Sequence, residues 1–476
     1  MTAYRPDPRI LRLAPPDGPG ALWDEVEPAP FPTRVLRFRN QRHAERVGLG
    51  TLSGADWERH FARFEPLPDN LPRPLALRYH GHQFRHYNPQ LGDGRGFLFG
   101  QLRDAGGRLL DLGTKGSGTT PWSRGGDGRL TLKGGVREIL ATEMLEALGV
   151  NTSKSLSLFE TGEELYRGDE PSPTRSSVLV RLSHSHVRVG TFQRLAAIGD
   201  KAGLRAMVDY ASSELYTGLD GSPAAFLRAV VGATARTTAA WMVGGFCHAV
   251  LNTDNLNVTG ESFDYGPWRF LPTLDPGFTA AYFDHQGLYA YARQPGAVLW
   301  NLQQLALALS SLGADLTPGL EGFETTYFEA LRSSVLRRLG LGSAGEAADT
   351  VLVQTLFGWL QATQVPFDQA FFDLYGGHAG AERRRRSPAT GAYGTSGGGP
   401  FAELAAVLEA FEPSHPGRLA SPYFQRDRPV SMVIGQVEAA WEAIALQDDW
   451  RAFGRLVAEV RELGDVLGQP DGSDAS

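Results

Sequence analysis

The residues best suited to chemistry lie in a polar segment near the middle of the chain. Asp254 and Asn255 stand side by side, and Asp264 follows a short, mostly uncharged passage that could turn as a β-hairpin. Oxygen ligands of this kind suit Mg²⁺, and a carboxylate near an attacking hydroxyl is typical of phosphate-transfer sites. The segment therefore predicts a metal-assisted reaction at a phosphate group.

A glycine-rich loop earlier in the chain is the candidate nucleotide clamp. Gly92 and Gly94 let the backbone approach an anion closely, and Arg95 adds a cation that stays protonated. A hairpin turn explains the same glycines without any ligand. Lys115 favours the ligand, because it ends the second predicted strand after the loop and the whole chain has only four lysines.

Glu138 is the predicted partner of Lys115. It lies at the start of a predicted helix, residues 136–149, in which apolar residues recur at helical spacing and a glycine ends the pattern. An ion pair with Glu138 would orient the lysine ammonium toward phosphates. A carboxylate in a first helical turn also favours the helix dipole, so both explanations stay open.

Two arginines lie in or just after a predicted strand, residues 177–183. Arg181 is inside this apolar strand, and Arg188 follows it closely. An arginine in an apolar strand must find a buried anion or reach solvent. Solvent, a structural carboxylate and a bound phosphate all stay open as its partner.

The elements that must position these residues follow a definite order. A glycine-rich loop, a lysine-bearing strand, a glutamate-bearing helix and two further strands form the layout of a protein-kinase small lobe. From about residue 196 the sequence becomes helical. We predict an α+β, protein-kinase-like two-lobe fold, with an N-terminal wrapping extension (1–74), a β-rich small lobe (75–197) and an α-helical large lobe (198–476). The predicted helices of the large lobe are 201–217, 224–244, 301–312, 321–339, 350–361, 401–411, 432–446 and 450–467.

Composition narrows the class of protein. The 476 residues exceed one ordinary core, and 42% apolar residues are enough to fill two. A net charge of -7 and a pI near 5.9 give no general attraction for nucleic acid or an anionic membrane. The N-terminus lacks a signal-peptide core, and the longest apolar passage, 237–253, is shorter than a bilayer span. We expect a cytoplasmic protein without nucleic-acid or membrane partners, and the oligomeric state is left open.

Other polar residues are interpreted as structural. The only cysteine, Cys247, lies in an apolar run, which predicts a buried thiol and excludes an intrachain disulfide. His248 is expected to support the catalytic loop by hydrogen bonding. The four arginines at 383–386 predict a solvated loop, with a substrate-docking patch as the alternative. The histidines interpreted as structural are His80, His82, His86, His184 and His186.

Several motifs together resemble the selenoprotein O family, whose members are kinase-fold proteins once counted as pseudokinases. The similarity extends from about residue 35 to near Trp450. It implies protein adenylylation, in which AMP passes from ATP to a Ser, Thr or Tyr hydroxyl of a protein and pyrophosphate is released. The motifs are Gly92-Asp-Gly-Arg95, Leu112-Gly-Thr-Lys-Gly-Ser-Gly-Thr-Thr-Pro-Trp-Ser-Arg124, Gly126-Asp-Gly128, Gly135-Val-Arg-Glu138, Asn252-Thr-Asp-Asn255 and Asp264-Tyr-Gly-Pro267.

The resemblance also implies roles for the matching residues. Asp254 corresponds to the proton acceptor, while Asn255 and Asp264 correspond to ligands of Mg²⁺, with Mn²⁺ as the alternative ion. The family binds ATP end for end relative to ordinary kinases, which brings the α-phosphate to the reacting position. Extra arginines agree with inward β- and γ-phosphates, because their planar forks match phosphate oxygens. The implied nucleotide site comprises Gly92, Gly94, Arg95, Lys115, Asp127, Gly128, Glu138, Arg181, Arg188 and Asp264.

The sequence departs from many members of the family at its C-terminus. Residues 468–476 carry neither cysteine nor selenocysteine, so redox control through a C-terminal thiol is not expected. Two other hypotheses stay open. The protein could be a phosphotransferase that moves the γ-phosphate of ATP, or a nucleotide-binding scaffold without catalysis. The protein targets and the choice of ATP over UTP are also open.

Overall fold

The computed structural model describes residues 2–13, 18, 20–168, 170–313, 315–394 and 399–468. The C-terminal tail discussed above lies outside the described residues, except for Gly468. The strands are β1 (Trp23–Glu25), β2 (Val35–Arg39), β3 (Leu75–Leu77), β4 (Gly81–Gln83), β5 (His86–Asn88), β6 (Leu98–Arg103), β7 (Leu109–Lys115), β8 (Leu130–Thr131), β9 (Lys154–Leu165), β10 (Thr174–Ser183), β11 (Phe246–Cys247) and β12 (Arg269–Phe270). The α-helices are α1 (Gln41–Arg46), α2 (Gly54–Phe61), α3 (Leu132–Ala147), α4 (Val189–Ala197), α5 (Lys201–Tyr210), α6 (Pro223–Gly244), α7 (Gln294–Leu309), α8 (Thr317–Leu339), α9 (Glu346–Thr363), α10 (Phe367–Leu374), α11 (Ala381–Arg386), α12 (Phe401–Leu408), α13 (Ile434–Gln447) and α14 (Arg451–Leu467).

One antiparallel sheet dominates the first half of the chain. Its strands follow the order β1-β3-β6-β7-β10-β9-β2, and β8 pairs with β10 beside this path. The two central strands, β7 and β10, carry Lys115 and Arg181, the two buried cations singled out in the sequence. Lys115 lies opposite Leu179 in the register of these strands. The sheet therefore brings these two cations together although they are far apart in sequence.

Both faces of the central strands are covered. Val178 and Val180 belong to an apolar cluster that includes Trp57 of α2, whereas Leu179 belongs to a second cluster that includes Val136 of α3. This alternation is the period of two expected of a strand. The sheet is thus a middle layer, with the N-terminal helices on one face and α3 on the other.

The first 74 residues contribute a strand to each edge of this sheet. Trp23 of β1 lies opposite Leu77 of β3, and Leu36 of β2 lies opposite Phe159 of β9. Edge strands that are paired in this way protect the backbone groups of the inner strands from solvent. The N-terminal segment is therefore part of the sheet as well as a covering for it.

The helix that carries Glu138 begins earlier than the sequence pattern indicated. Thr131 caps α3, because its Oγ1 accepts a hydrogen bond of 3.1 Å from the Gly134 N–H, and the helix starts at Leu132 rather than at Val136. Glu138 therefore lies in the second turn of α3, where the helix dipole has little influence. Its conformation must be explained by a direct partner.

After residue 197 the described chain consists of helices and connecting loops, and its only strands are the short pair β11–β12. The α+β prediction is confirmed as a mixed fold with an antiparallel sheet and many helices. Predicted helix boundaries were wrong in places, since 201–217 ends as an α-helix at Tyr210 and continues as one π-helical turn, Ala211–Leu215. No helix in the described ranges is long and apolar enough to span a bilayer.

The prediction of a solvated loop at the four arginines was wrong. Residues Ala381–Arg386 form α11, and Arg383 is buried. Its guanidinium donates to the Tyr375 carbonyl oxygen and lies 4.6 Å from the centre of the Phe424 ring. A charge run alone could not reveal this, because the carbonyl and the ring that hold Arg383 come from other segments.

A buried ion pair fixes α3 to the C-terminal helix α14. Arg461 donates to both carboxylate oxygens of Glu143, at 2.8 and 2.7 Å, and the Glu143 side chain is only 2% exposed. Arg461→Met should lower the free energy of unfolding by about 2 kcal/mol, because Glu143 loses its bidentate partner. Chemical denaturation would measure the loss.

Arg455→Met on the same helix is the matched control for this prediction. Arg455 is exposed and makes no ion pair within the described part of the chain. Its replacement should change the free energy of unfolding by less than about 0.5 kcal/mol. Equal effects of the two substitutions would contradict a stabilising role for the Arg461–Glu143 pair.

Candidate active site

Four charged side chains from separate elements meet beneath the sheet. The Lys115 Nζ lies 2.6 Å from Glu138 Oε2 and 2.8 Å from Asp264 Oδ1. Arg181 Nη1 lies 3.4 Å from Glu138 Oε1 and 3.5 Å from Asp264 Oδ1. The structure thus gives Glu138 an ion pair with Lys115, and Arg181 meets carboxylates rather than solvent. We call these four residues the charge network.

The backbone at Asp264 has an unusual conformation. Its φ is 61°, in the left-handed region that few residues other than glycine adopt. The preceding carbonyl, that of Phe263, accepts a hydrogen bond of 3.0 Å from Nε2 of His248. The prediction that His248 is a hydrogen-bonding support is confirmed, and the residue it supports lies next to Asp264.

The charge network controls the ionisation of Asp264. Burial alone would raise its pKa, but the positive charges of Lys115, Arg181, Arg95 and Arg188 hold that pKa well below its usual value. Asp264 is therefore ionised at neutral pH. A carboxylate that is also 27% exposed can act as a ligand for a cation.

Asp254 lies in a short 3₁₀ turn, Thr253–Asn255, and its pKa shifts in the direction opposite to that of Asp264. Burial raises the pKa of Asp254 to about 6, the positive charge of Arg188 opposes this rise, and the negative charge of Asp264 adds to it. Its carbonyl oxygen accepts a hydrogen bond of 3.0 Å from Arg188. Its Oδ1 is buried and has no hydrogen-bond partner among the described residues. An unsatisfied buried carboxylate oxygen of this kind is typical of a functional site.

Side chains from the helical half hold the backbone of this turn. Asn301 of α7 donates to the Leu251 carbonyl oxygen at 2.8 Å. The Tyr289 hydroxyl donates to Oδ1 of Asn252 at 2.7 Å. The conformation around Asp254 is therefore specified by long-range hydrogen bonds rather than by local propensity.

Asn255 and Asp264 fit the role of metal ligands by their chemistry. The Asn255 amide donates through Nδ2 to the Val250 carbonyl oxygen at 3.1 Å, which orients its Oδ1 as the remaining acceptor. Together with the ionised Asp264 this supplies hard oxygen donors of the type that Mg²⁺ and Mn²⁺ bind. The unpartnered Oδ1 of Asp254 adds a further oxygen nearby.

Arg188 connects the turn Thr253–Asn255, which we call the catalytic turn after the role expected of Asp254, to the glycine-rich loop. Besides donating to Asp254, it lies 3.3 Å from Oδ1 of Asp93. Its guanidinium lies 4.3 Å from the ring centre of Tyr79 and 4.9 Å from that of Phe263. Flanking rings and a carboxylate hold the planar fork in one orientation, as phosphate binding requires.

The glycine-rich loop packs against an aromatic ring. A Cβ at Gly92 would lie 2.4 Å from Cγ of Trp122, and one at Gly94 would lie 2.8 Å from the Trp122 carbonyl oxygen. Ser123 also donates to the Gly94 carbonyl oxygen, at 2.5 Å. These glycines are therefore required for close packing of the loop at 116–128, a reason that the sequence did not suggest. A hairpin turn alone, or a bound ligand alone, does not explain why both of these positions are glycine.

The remaining predicted nucleotide residues lie at the margin of the site. Arg95 is exposed but close enough to contribute to the low pKa of Asp264. Asp127 is exposed and pairs with Arg167 at 2.8 Å, so no direct contact joins it to the charge network. Gly128 has a φ of 68° and packs against Gly118. The structure thus groups Lys115, Glu138, Arg181, Arg188, Asp254 and Asp264 more closely than it groups these three residues with them.

The passage between Asn255 and Asp264 is not a hairpin, so that expectation was wrong. Asn257 forms a bridge with Arg188, and Ser262 forms one with Thr152. The passage pairs with two outside segments instead of with itself. Within it, the Asn257 Oδ1 accepts a hydrogen bond of 3.1 Å from the Thr259 N–H and closes a local turn.

The histidines and the cysteine behave as structural residues. His80 Nδ1 contacts the Tyr87 hydroxyl at 2.7 Å, and His82 Nδ1 contacts Nε2 of Gln193 at 2.8 Å. Within the described ranges no group of three His, Cys, Asp or Glu residues could hold a metal ion. Cys247 is buried, and burial raises the pKa of its thiol to about 11.

Two residues of the site were not identified from the sequence. Asp93 binds Arg188, and its position as the only carboxylate in the glycine-rich loop was a signal for such a partner. Tyr79 lies against the same guanidinium, and nothing in the sequence pattern distinguishes it from a core aromatic residue. Both depend on contacts between segments distant in the chain.

Comparison with known proteins identifies the kind of site. The family described as "Protein adenylyltransferase SelO" matches residues 17–461. The protein nucleotidyltransferase YdiU of Gloeobacter violaceus is 46% identical over 460 residues, covering 92% of each chain. Proteins of the same name from Synechococcus elongatus and Synechocystis sp. are 43% and 42% identical, covering 94% and 92% of this chain and 94% and 95% of their own.

These matches, together with the mixed fold, define an enzyme of the nucleotidyltransferase class. The chain belongs to the SelO family of protein adenylyltransferases. The predicted resemblance and the predicted enzyme class are therefore confirmed.

The opposite pKa shifts of the two aspartates predict opposite effects on stability. Because burial raises the folded-state pKa of Asp254 to about 6, its favourable contribution exists while it is protonated and is lost as the pH rises through about 6. Asp254→Asn should therefore raise the free energy of unfolding by about 1 to 3 kcal/mol at pH 8 and leave it unchanged near pH 4. Denaturation of metal-free, nucleotide-free protein across this range would measure it.

Asp264→Asn is the control with the opposite sign. Its carboxylate has a lowered pKa, so its stabilising contribution is present above the usual pKa and lost only in acid. This variant should be less stable than the wild type at pH 8. If Asp254→Asn also lowered stability at pH 8, the assignment of a raised pKa to Asp254 would be wrong.

Proposed function

We propose that this protein transfers AMP from ATP to Ser, Thr or Tyr hydroxyls of other proteins, with release of pyrophosphate and with a divalent metal ion. The observation that carries the proposal is the arrangement of Asp254 beside the buried charge network of Lys115, Glu138, Arg181 and Asp264. An acceptor for a proton and a cluster of cations for phosphates then share one site.

The proposal includes a protein-kinase-like arrangement of two lobes. The antiparallel sheet with α3 would form the small lobe, and the helices from α5 onward would form the large lobe, with the boundary near residue 197. The N-terminal extension up to residue 74 would brace the small lobe. A lysine on one strand paired with a glutamate on the following helix supports this assignment.

In the transfer step the acceptor hydroxyl oxygen forms a bond to the α-phosphorus of ATP. The bond between that phosphorus and the oxygen bridging to the β-phosphorus breaks, and pyrophosphate leaves with the bond electrons. The hydroxyl proton passes to Asp254. A raised pKa near 6 suits this role, because Asp254 is mainly ionised at neutral pH and still basic enough to take a proton.

The cations of the site would bind the phosphates. Lys115, held by Glu138, and the two arginines Arg181 and Arg188 provide one ammonium and two planar forks. Three cations exceed what an α-phosphate alone needs, which supports an orientation with the β- and γ-phosphates directed inward. Gly92, Gly94, Arg95, Asp127 and Gly128 would complete the nucleotide site at its outer side.

Asn255 and Asp264 would hold the divalent ion, Mg²⁺ or Mn²⁺. When bound, the ion supplies positive charge that stabilises the phosphate oxygens during transfer. Asp264 also has a second role in the site, because its 2.8 Å contact keeps Lys115 in position.

Labelled ATP tests the proposed function directly. The full-length protein is incubated with a cell lysate and ATP labelled at either the α- or the γ-phosphate. Adenylylation leaves the α label on protein, whereas phosphoryl transfer leaves the γ label. Transfer of the γ label alone would replace the proposal with a phosphotransferase, and binding of ATP without either transfer would indicate a scaffold.

Removal of a metal ligand should nearly abolish the reaction. Asp264→Ala is expected to lower the rate of α-label transfer by roughly two to three orders of magnitude, because the site loses a main charge-stabilising element. Asp275→Ala is the matched control, since Asp275 is an exposed aspartate on the following loop. Near-normal turnover by the Asp264→Ala protein would contradict the metal assignment.

A further inference from the structure

A small hairpin forms one wall around Asp254. It consists of β4 and β5, and a Cβ at Gly81 would lie only 3.1 Å from the Asp254 Cβ. The His82 N–H donates to Oγ1 of Thr253 at 2.6 Å. The hairpin backbone is thus hydrogen-bonded to the catalytic turn. A molecule bound on the hairpin would therefore lie beside Asp254 and the AMP group that is transferred in the proposed reaction.

The turn of this hairpin has an unfavourable backbone. Phe84 and Arg85 both have positive φ, 49° and 65°, in a two-residue turn that normally favours Asn-Gly. Large side chains strain the backbone in this conformation, and such strain is found mainly at functional sites. The Phe84 N–H donates to Oδ1 of Asn252 at 3.0 Å, which helps to hold the turn. The strained turn thus leaves the Arg85 side chain exposed next to the site, while the Phe84 ring is half-buried and lies 5.1 Å from the Tyr289 ring.

Aromatic side chains are exposed around this turn. Tyr282 is 77% exposed, and Phe283 and Tyr87 are each 41% exposed. The Phe283 ring lies 5.9 Å from that of Phe84, so the loop and the hairpin form one continuous surface. Exposed aromatic groups beside a site usually mark contact with another molecule.

The charged groups of this surface are mainly basic. Arg85 is exposed, lies 5.4 Å from the Trp300 ring centre, and makes no ion pair within the described ranges. Arg293 is also exposed. Asp284 lies in the chain between the exposed aromatic residues and α7. It is buried, and its carboxylate accepts hydrogen bonds from the backbone N–H groups of residues 288 and 289. A ligand with carboxylates would therefore find a complementary charge here.

The outer edge of the hairpin is also available for pairing. Strand β5 pairs with β4 in a sheet of two strands, and no other described strand joins it. An extended segment can add to such an edge through its backbone, while its side chains contact the neighbouring surface. The geometry suits an extended stretch of polypeptide.

We propose that this surface binds the hydroxyl-bearing segment of the acceptor protein and selects acidic residues next to the modified hydroxyl. The inference rests on the proposed function, because the hairpin that carries this surface lies against Asp254 and is hydrogen-bonded to Thr253. Aromatic contact area would hold the segment, and Arg85 would bind a flanking carboxylate. We name it the acceptor surface, and it comprises Phe84, Arg85, Tyr87, Tyr282, Phe283 and Trp300.

Two synthetic peptides test the charge preference. Each carries one Tyr, flanked by Glu in the first peptide and by Lys in the second, and transfer of the α label from ATP is measured with the full-length protein. The wild type should modify the Glu peptide with a kcat/KM about tenfold higher or more. Arg85→Glu should remove most of this preference through the KM for peptide and leave the KM for ATP unchanged. Arg455→Glu on α14 is the matched control and should retain the preference.

A second variant tests the aromatic part of the acceptor surface. Tyr282→Ala combined with Phe283→Ala should lower labelling of lysate proteins and of the Glu peptide by about tenfold. Phe328→Ala is the control, since Phe328 of α8 is 47% exposed and lies in another part of the fold. Sedimentation of the wild type and the double variant measures whether the surface joins two copies of this chain instead.

The outcomes separate this inference from the proposed function. Labelling by the surface variants at wild-type rates, with an unchanged flank preference, would overturn the acceptor surface while adenylylation stands. A wild-type dimer that dissociates in the double variant would assign the surface to self-association and overturn it as well. Absence of α-label transfer by the wild type, to peptides and to lysate proteins, would overturn the proposed function together with this inference.

Discussion

Most of this structure depends on the charge balance around Lys115. Lys115 and Arg181 are paired with Glu138 and Asp264, and the four side chains come from β7, β10, α3 and the loop after the catalytic turn. Buried charges are stable only when each has a partner, so loss of one group leaves the others uncompensated. The network therefore fixes the relative positions of four elements, and its two cations and two anions balance one another.

Two nearby carboxylates differ in acidity, each for its own physical reason. Asp264, close to Lys115 and Arg181, has a lowered pKa, whereas the buried Asp254 has a raised one. Neighbouring acids whose environments push their pKa values in opposite directions commonly have different chemical roles. Here the stronger acid suits a cation ligand and the weaker acid suits a proton acceptor. Arg188 contacts Asp254 directly and opposes the rise in its pKa. The difference in acidity between the two aspartates therefore depends on the orientation of this arginine.

Recognition of the acceptor is a separate problem from recognition of the nucleotide. In the proposed mechanism the charge network takes part in binding the phosphates, but its four side chains do not distinguish one acceptor hydroxyl from another. The strained turn at Phe84 and Arg85 is bonded to the catalytic turn on one side and borders exposed aromatic rings on the other. Binding energy gained on such a surface can orient a hydroxyl at the reacting phosphorus, which raises the rate without altering the nucleotide site.

Local pattern was sufficient to predict the strands that carry Lys115 and Arg181, the helix that carries Glu138, most of the later helices and, through motif resemblance, the family. It failed where a partner came from elsewhere in the chain. The segment after Asn255 forms single bridges with Arg188 and Thr152 rather than pairing with itself, Arg383 packs against the distant Phe424 ring, and Asp93 contacts an arginine 95 residues away. Side-chain periodicity depends on neighbours a few residues apart, so sequence alone determines which elements form and which groups can react. The tertiary structure alone decides which charges become buried together, because burial and Coulomb interaction depend on distance in space.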